Sequence, residues 1–235
     1  MKNILSLFYV LFFCIGWSQS TEKEKTIEVT YIKAFKNHKD TTNTPPKKIK
    51  GLEYQLLFDK DESRFAYIEQ MGIDGNDTNN RYVGSIGGSG IYYCNLKNSE
   101  KKRTVNLYDS DYTIDVSQNK IKWNLIKESK KILGYDCYKA EGKYIEYSNF
   151  LKKEITFNIT AWYTPHIPVP YGPASYDGLP GLVLEASRSS FYFIANEINL
   201  DKNTKIKKPK EGKSISQIDY NELLFNNRKR TQAKD

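Results

Sequence analysis

The chain has 235 residues, 14% of them aromatic, and carries 36 lysines and arginines against 28 aspartates and glutamates. This length suits one large domain, and the formal net charge of +8 is dispersed, because lysines alternate with acidic residues along the whole chain. Dispersed charge argues against nucleic acid as a partner, and beyond the first 20 residues no stretch is apolar enough to cross a membrane.

The N-terminus is predicted to be a secretory signal peptide, residues 1–18. Lys2 is followed by an apolar run over residues 4–15, which is shorter than the about 20 residues that span a bilayer. Small residues beyond the run suit cleavage after Ser18 or, alternatively, after Ser20. We therefore expect an exported protein, periplasmic or secreted, in which residues 19–235 form a single β-rich domain.

Alternating apolar residues predict β-strands through most of the chain, because one face of each strand is then buried. Strands are predicted at 27–35, at 52–58 with a return strand that begins at 65, and at 91–96, 102–108, 112–117, 121–128, 134–145, 153–163, 180–187 and 191–200. The glycine cluster in the predicted loop 70–90 precedes a strand, whereas a phosphate cradle needs a helix there. Ser216 followed by Asp219 predicts a capped helix over 217–229.

Short connections between these runs favour antiparallel neighbours. The fold class is thus predicted to be mainly β: a long antiparallel meander that forms a curved sheet, half-barrel or barrel-like sandwich, with a short C-terminal helix. The aromatic residues of such a sheet either fill the core or enclose an apolar ligand, and filling of the core is the favoured interpretation.

Residues 162–184, called the corner below, interrupt the strands with five prolines and three glycines. Prolines cannot donate to a sheet ladder, so the chain is expected to leave the sheet here and to form a rigid corner at one end of it. The predicted structural residues are Gly172, Pro173, Asp177, Gly178, Leu179, Pro180, Gly181 and Leu182. The alternative is a docking surface or pocket rim, with contacts from Trp162, Tyr163, His166, Tyr171 and Tyr176.

Three segments together resemble the GLPGLI family of exported proteins of Gram-negative bacteria. They are residues 123–140, residues 161–168, and residues 172–184 with the hexapeptide Gly178-Leu-Pro-Gly-Leu-Val183, where Val183 stands in place of the usual isoleucine. The resemblance covers most of residues 19–235. It implies a secreted or periplasmic β-rich protein and carries over no catalytic mechanism.

The cysteines leave alternatives open. Cys14 follows a phenylalanine, whereas a lipid-anchored cysteine follows a small residue, so no lipid anchor is expected. Cys94 and Cys137 are predicted either to form a disulfide in an oxidising compartment or to remain as two buried free thiols.

Candidate catalytic residues are few. His38 lies in a polar loop, and His166 has Ser175 and Asp177 nearby in sequence but no nucleophile-elbow pattern. Spacings typical of zinc ligands are missing from the sequence, and no cofactor, metal or catalytic residue is predicted.

The expected function is therefore that of a non-enzymatic binding or accessory module of the cell envelope. An outer-membrane transport component or an apolar ligand is the expected partner, whereas nucleic acid is not, and the protein is expected not to span the membrane. The alternatives are a structural or interaction protein that acts through the corner and, less favoured, a hydrolase.

Overall fold

The computed structural model describes residues 25–37, 44–69, 88–107, 109–117, 121–148 and 151–232. The predicted signal peptide, His38 and most of the predicted loop at 70–90 lie outside these ranges.

Twelve strands and one helix form within the described residues. The strands are β1 (Ile27–Phe35), β2 (Lys47–Phe58), β3 (Glu62–Tyr67), β4 (Ile91–Asn95), β5 (Glu100–Leu107), β6 (Ser110–Asp115), β7 (Asn124–Ile132), β8 (Tyr135–Ser148), β9 (Lys153–Thr164), β10 (Leu182–Arg188), β11 (Phe191–Asn199) and β12 (Lys213–Ile215), and the helix is α1 (Gln217–Gln232). The predicted β-rich fold with a C-terminal helix is confirmed.

All twelve strands belong to one sheet in the order β12-β6-β5-β4-β3-β2-β1-β11-β10-β9-β8-β7. Two antiparallel meanders, β1–β6 and β7–β11, are joined at the centre by the antiparallel pair of β1 and β11. The prediction of one continuous meander is corrected in two respects. Strands β6 and β7 are consecutive in the chain yet lie near opposite edges of the sheet, and β12 pairs with β6 in parallel.

The sheet is open and strongly curled, so the closed-barrel version of the prediction is not realised. In a flat sheet, the ten steps of about 4.8 Å between β6 and β7 would separate these strands by about 48 Å. The chain from Asp115 to Asn124 reaches at most about 32 Å, because an extended residue spans no more than about 3.6 Å. The two halves must therefore bend towards each other.

Aromatic side chains fill the inner face of this curl. Phe65 lies between the rings of Tyr54 (5.4 Å), Phe193 (5.6 Å), Tyr31 (6.1 Å) and Tyr92 (6.2 Å), measured between ring centroids. Edge-to-face and stacked pairs at these distances each contribute about 0.5–1.5 kcal/mol beyond burial of their area. The interpretation that the rings fill the core is the one that the structure supports.

The chain after β11 crosses the outer face of the sheet before it adds β12 and α1. Ile206 on this crossing packs against Leu57 and Tyr93, on the outer face of β2 and β4. Helix α1 then packs Tyr220 against Val105, Ile114 and Val116 of the β5–β6 region. The side chain of Ser216 accepts a hydrogen bond from the Asp219 amide at 3.0 Å, which is the predicted cap.

Among the described residues, no helix combines the length and apolar character needed to cross a membrane.

A groove beside strand β8

The corner is an inner layer of the molecule. Its irregular part, residues 165–181, leaves β9 and returns as β10, and meanwhile lies against the inner face of the sheet. Tyr171 is 2% exposed with its ring 5.6 Å from that of Phe58 on β2, and Leu179 is equally buried. The corner thus supplies core to both halves of the curl, whereas the sequence placed it at one end of the sheet.

Backbone hydrogen bonds fix the shape of the corner. The amide of Val183 donates to the Tyr171 carbonyl at 3.0 Å, and that of Gly178 donates to the Pro170 carbonyl at 2.9 Å. Gly181 adopts φ +156, and a Cβ there would lie 2.3 Å from the Thr164 carbonyl oxygen, so only glycine fits without a backbone shift. The hexapeptide therefore allows the corner to pack closely against the end of β9.

Asp177 ties together strands from opposite halves of the sheet. Its carboxylate forms an ion pair with Lys101 on β5, and its carbonyl accepts a hydrogen bond at 2.8 Å from the indole of Trp123, just before β7. Burial raises the pKa of Asp177, although Lys101 acts in the opposite direction. This residue, predicted as one of the structural residues of the corner, connects both halves of the sheet in the structure.

Three of the five predicted contact residues of the corner are buried. Tyr163, Tyr171 and Tyr176 are 6% exposed or less, and burial raises the pKa of the last two hydroxyls. Trp162 is half-buried on the outer face, with the Lys130 ammonium 4.4 Å from its ring. His166 is exposed. These five side chains therefore do not form one surface.

The hydrolase alternative gains no support from the geometry around His166. The imidazole Nδ1 lies 3.2 Å from the Thr164 hydroxyl, and the ring stands edge-on to Tyr135. The carboxylate of Asp177 is instead engaged by Lys101. Within the described ranges, no cluster of three or more His, Cys, Asp or Glu side chains could hold a metal ion.

Cys94 and Cys137 are free thiols, so the structure contains no disulfide between them. Cys94 is half-buried on β4, and Cys137 is fully buried on β8. Burial raises the pKa of both thiols to about 11, which keeps them protonated and weakly nucleophilic near neutral pH.

A groove lies beside β8. It measures about 850 Å³ and is lined by residues 122, 124, 141–145 and 158–160, which we call the β8 groove. This volume falls in the range of about 300–1,000 Å³ that is typical of ligand sites. By contrast, two spaces between the corner and the sheet measure only about 10 and 50 Å³, which is too small for an apolar ligand of ordinary size.

Gly142 explains why the groove exists. A Cβ at this position would lie 2.4 Å from Cγ2 of Ile121 and 3.0 Å from the Trp123 indole. Because glycine has no side chain, residues 121–123 can cross directly over β8 towards Asp177, where the indole is held. Strand β7 consequently starts only at Asn124, opposite Glu141.

Beyond this crossing, one edge of β8 is open. Its ladder with β9 continues without a register shift to Ser148, but within the described residues no strand pairs with the other edge of residues 142–148. Tyr144 packs towards the core, while Lys143 is exposed and Ile145 is 60% exposed. The groove therefore borders a regular strand edge whose outward N–H and C=O groups have no ladder partner among the described strands.

The electrostatics of the groove are basic. Glu141 is paired with Lys139 at 3.1 Å, so its charge is compensated. Lys122 and Lys143 are exposed, and no ion pair among the described residues engages either of them. Sequence reasoning missed this site, because its lining comes from distant segments and a free edge is visible only once the pairing of the strands is known.

Part of the chain matches a family model, and most of the chain shares its fold with solved structures. The model of a family described as "Protein of unknown function (Porph_ging)" matches residues 146–185, which include all of β9 and the whole corner. No curated protein matches the chain.

Two solved structures, described as the structure of PNGF-II in C2 and in P21 space groups, share the fold with TM-scores of 0.52 and 0.51. Both are 19% identical to this chain, and each alignment covers 86% of this chain and 33% of the other. The chain thus spans about a third of the length of these proteins, and at this identity the likeness concerns the fold alone.

Proposed function

We propose that this protein is an exported, non-enzymatic binding or accessory module of the cell envelope that engages its partner through the β8 groove. The observation that carries this proposal is the contrast between an interior filled by aromatic side chains and a groove of about 850 Å³ beside an open strand edge. A filled interior argues against enclosure of an apolar ligand, so a partner bound at the surface is favoured.

The cellular context of the proposal comes from the sequence. The signal-peptide pattern of residues 1–18 supports export to the periplasm or the medium. We further propose membership in the GLPGLI family, supported by the hexapeptide at 178–183, which lies inside the segment matched by the family of unknown function. An outer-membrane transport component is the partner class that this context favours.

The test is affinity capture from a cell-envelope extract of the producing bacterium. Native protein is compared with a groove variant, Lys143→Glu/Ile145→Asp, and with a control variant, Ile218→Asp, on the exposed side of α1 (55% exposed). A partner recovered by the native and control proteins but lost with the groove variant supports the proposal. Equal recovery by all three folded proteins would contradict it.

An interaction through the exposed part of the corner is the second candidate. Pro165, His166 and Pro168 are exposed beside the rigid backbone described above, and a rigid loop loses little entropy on binding. A His166→Ala variant included in the same capture experiment separates the two candidates, because only the second requires this side chain.

A further inference from the structure

We propose that the β8 groove takes an extended, acidic peptide segment, which adds as a strand to the open edge of residues 142–148. This inference rests on the proposed function and names the chemistry of its partner. It follows from three features: an edge without a ladder partner among the described strands, a groove beside it, and two exposed lysines that no ion pair between described residues neutralises.

The backbone of β8 provides the template. In an antiparallel strand, alternate residues direct both N–H and C=O to the same side, so the seven residues 142–148 present pairing groups to a newcomer along about 24 Å. The pairing with β9 shows no bulge from Tyr138 to Ser148, and no proline interrupts this stretch. Of the devices that block an edge, this one lacks bulges, prolines and short length, and the charged side chain that it carries, Lys143, repels basic rather than acidic newcomers.

The side chains select the partner. Lys143 and Lys122 place positive charge at the groove, while the one acidic residue in its lining, Glu141, already pairs with Lys139. Because successive side chains point to opposite faces of a strand, Lys143 lies on one face of β8, and Tyr144, which packs towards the core, lies on the other. A segment that alternates acidic and apolar side chains places its acidic residues on the face of Lys143 and its apolar residues on the face of Tyr144.

A second copy of this chain is the competing occupant of the edge. Self-pairing is disfavoured electrostatically, because each copy carries a formal net charge of +8 and would bring its own Lys143 to the shared edge. An acidic peptide neutralises the charge that a second copy would double.

The experiment measures binding of a fluorescent peptide as long as the open edge, which alternates valine and glutamate, by fluorescence anisotropy at low and physiological salt. Two companion peptides replace glutamate with lysine or carry N-methyl groups on alternate amides, which removes the donors of the ladder. The protein variants are Lys122→Glu/Lys143→Glu and a matched charge reversal on the outer-face crossing, Lys207→Glu/Lys210→Glu, where both lysines are exposed.

We expect the native and control proteins to bind the glutamate peptide. The groove variant should bind this peptide about tenfold or more weakly, and the native protein should bind the lysine peptide and the N-methylated peptide more weakly by a similar factor. Binding should also slow hydrogen exchange at the amides of residues 143–148. Equal affinity for the N-methylated peptide would overturn strand addition, and equal affinity of both variants would overturn the site. Both the N-methyl and the exchange measurements use native protein, so they stand even where a variant fails to fold.

Analytical ultracentrifugation without peptide tests the competing occupant. The native protein could form dimers at high concentration that the groove variant does not form. This result, together with a lack of peptide binding, would overturn the peptide proposal in favour of self-association. The proposed function fails separately, namely when envelope capture does not depend on the groove. A groove-dependent partner combined with no peptide binding would retain the groove and reject only the extended peptide.

Discussion

The two edges of the sheet are built differently. At one end, β12 is only three residues long and lies beside β6, and α1 covers the adjoining strands through Tyr220. At the other end, β7 stops pairing at Asn124, and seven residues of β8 continue past it with an open side. The edge at β12 is short and covered, whereas residues 142–148, beyond the end of β7, are regular and unpaired on one side among the described strands.

This difference teaches where the molecule can accept a partner. A short edge under a helix resists addition of strands, and natural sheets use such devices against aggregation. The open edge of β8 is kept by a specific arrangement, the crossing of residues 121–123 over Gly142, anchored by Trp123 on Asp177. Because core contacts hold this edge open, a functional role for it is favoured.

The largest expected effect comes from uncovering the protected edge with Tyr220→Ala. Tyr220 is 5% exposed, packs on Val105, Ile114 and Val116, and lies 5.1 Å from the Arg103 guanidinium. We expect a loss of about 3–5 kcal/mol of unfolding free energy, measured by urea denaturation, because a large buried ring is removed. Hydrogen exchange should rise in β6 and β12 and stay unchanged at 143–148.

Ile218→Ala is the matched control on the same helix, since Ile218 is 55% exposed and should change stability by no more than about 0.5 kcal/mol. Unchanged protection of β6 in the Tyr220 variant would show that the helix does not shield this edge.

The sequence predicted the strands better than it predicted their neighbours. Period-two alternation located most strands within a few residues, but β7 was placed from Ile121 because Ile121 and Trp123 alternate like strand residues. These side chains instead pack over Gly142, a distant position that local periodicity does not reveal. The strand β12, a short Lys-Ser-Ile segment, was missed for a related reason, since its pairing with β6 is entirely non-local.

The corner shows the same limit for the candidate site. Its prolines and glycines correctly predicted a departure from the sheet, and its tyrosines were candidates for binding. In the folded chain, Tyr171 and Tyr176 fill the space that the curl encloses, because the sheet closes around them. Whether an aromatic residue is core or surface depended on that curvature, which no local pattern encodes.

An intermediate effect on the unfolding free energy is expected at the centre of the sheet, where β1 lies between its two halves. Lys33 on β1 is fully buried, with its ammonium 5.2 Å from the Phe193 ring and 3.4 Å from the Tyr54 hydroxyl, and burial lowers its pKa to about 7. A shift of this size penalises the charged form, because one pKa unit corresponds to about 1.4 kcal/mol. The shift alone corresponds to about 5 kcal/mol, and loss of the hydrogen bond to Tyr54 offsets about 2 kcal/mol of it, so Lys33→Met should raise the unfolding free energy at pH 6 by about 3 kcal/mol.

The pH dependence of stability follows from the same shift. Between pH 7 and 10.5 the unfolded chain binds the Lys33 proton and the folded chain does not, so the stability of the native protein rises with pH in this window. The rise is best measured from pH 7 to 8.5, before ionisation of unfolded Cys94 and Cys137 acts in the opposite direction. Lys33→Met should abolish it, and the exposed Lys47→Met should retain it. A parallel pH profile of both variants would exclude Lys33 as the source.

The smallest change in stability, and the sharpest test of the open edge, is expected for Gly142→Val. The new side chain would meet Ile121 and Trp123 at distances shorter than contact, so residues 121–123 must shift away from β8 at a cost of about 1–3 kcal/mol. The Trp123 indole should then lose its hydrogen bond to the Asp177 carbonyl, which tryptophan fluorescence reports against a Trp162→Phe background.

Because the lining of the groove moves with this crossing, binding of the acidic peptide should weaken in Gly142→Val, whereas Lys207→Glu/Lys210→Glu should leave binding intact. A Gly142→Val protein that keeps both the native indole emission and the native peptide affinity would show that the crossing does not hold this edge open.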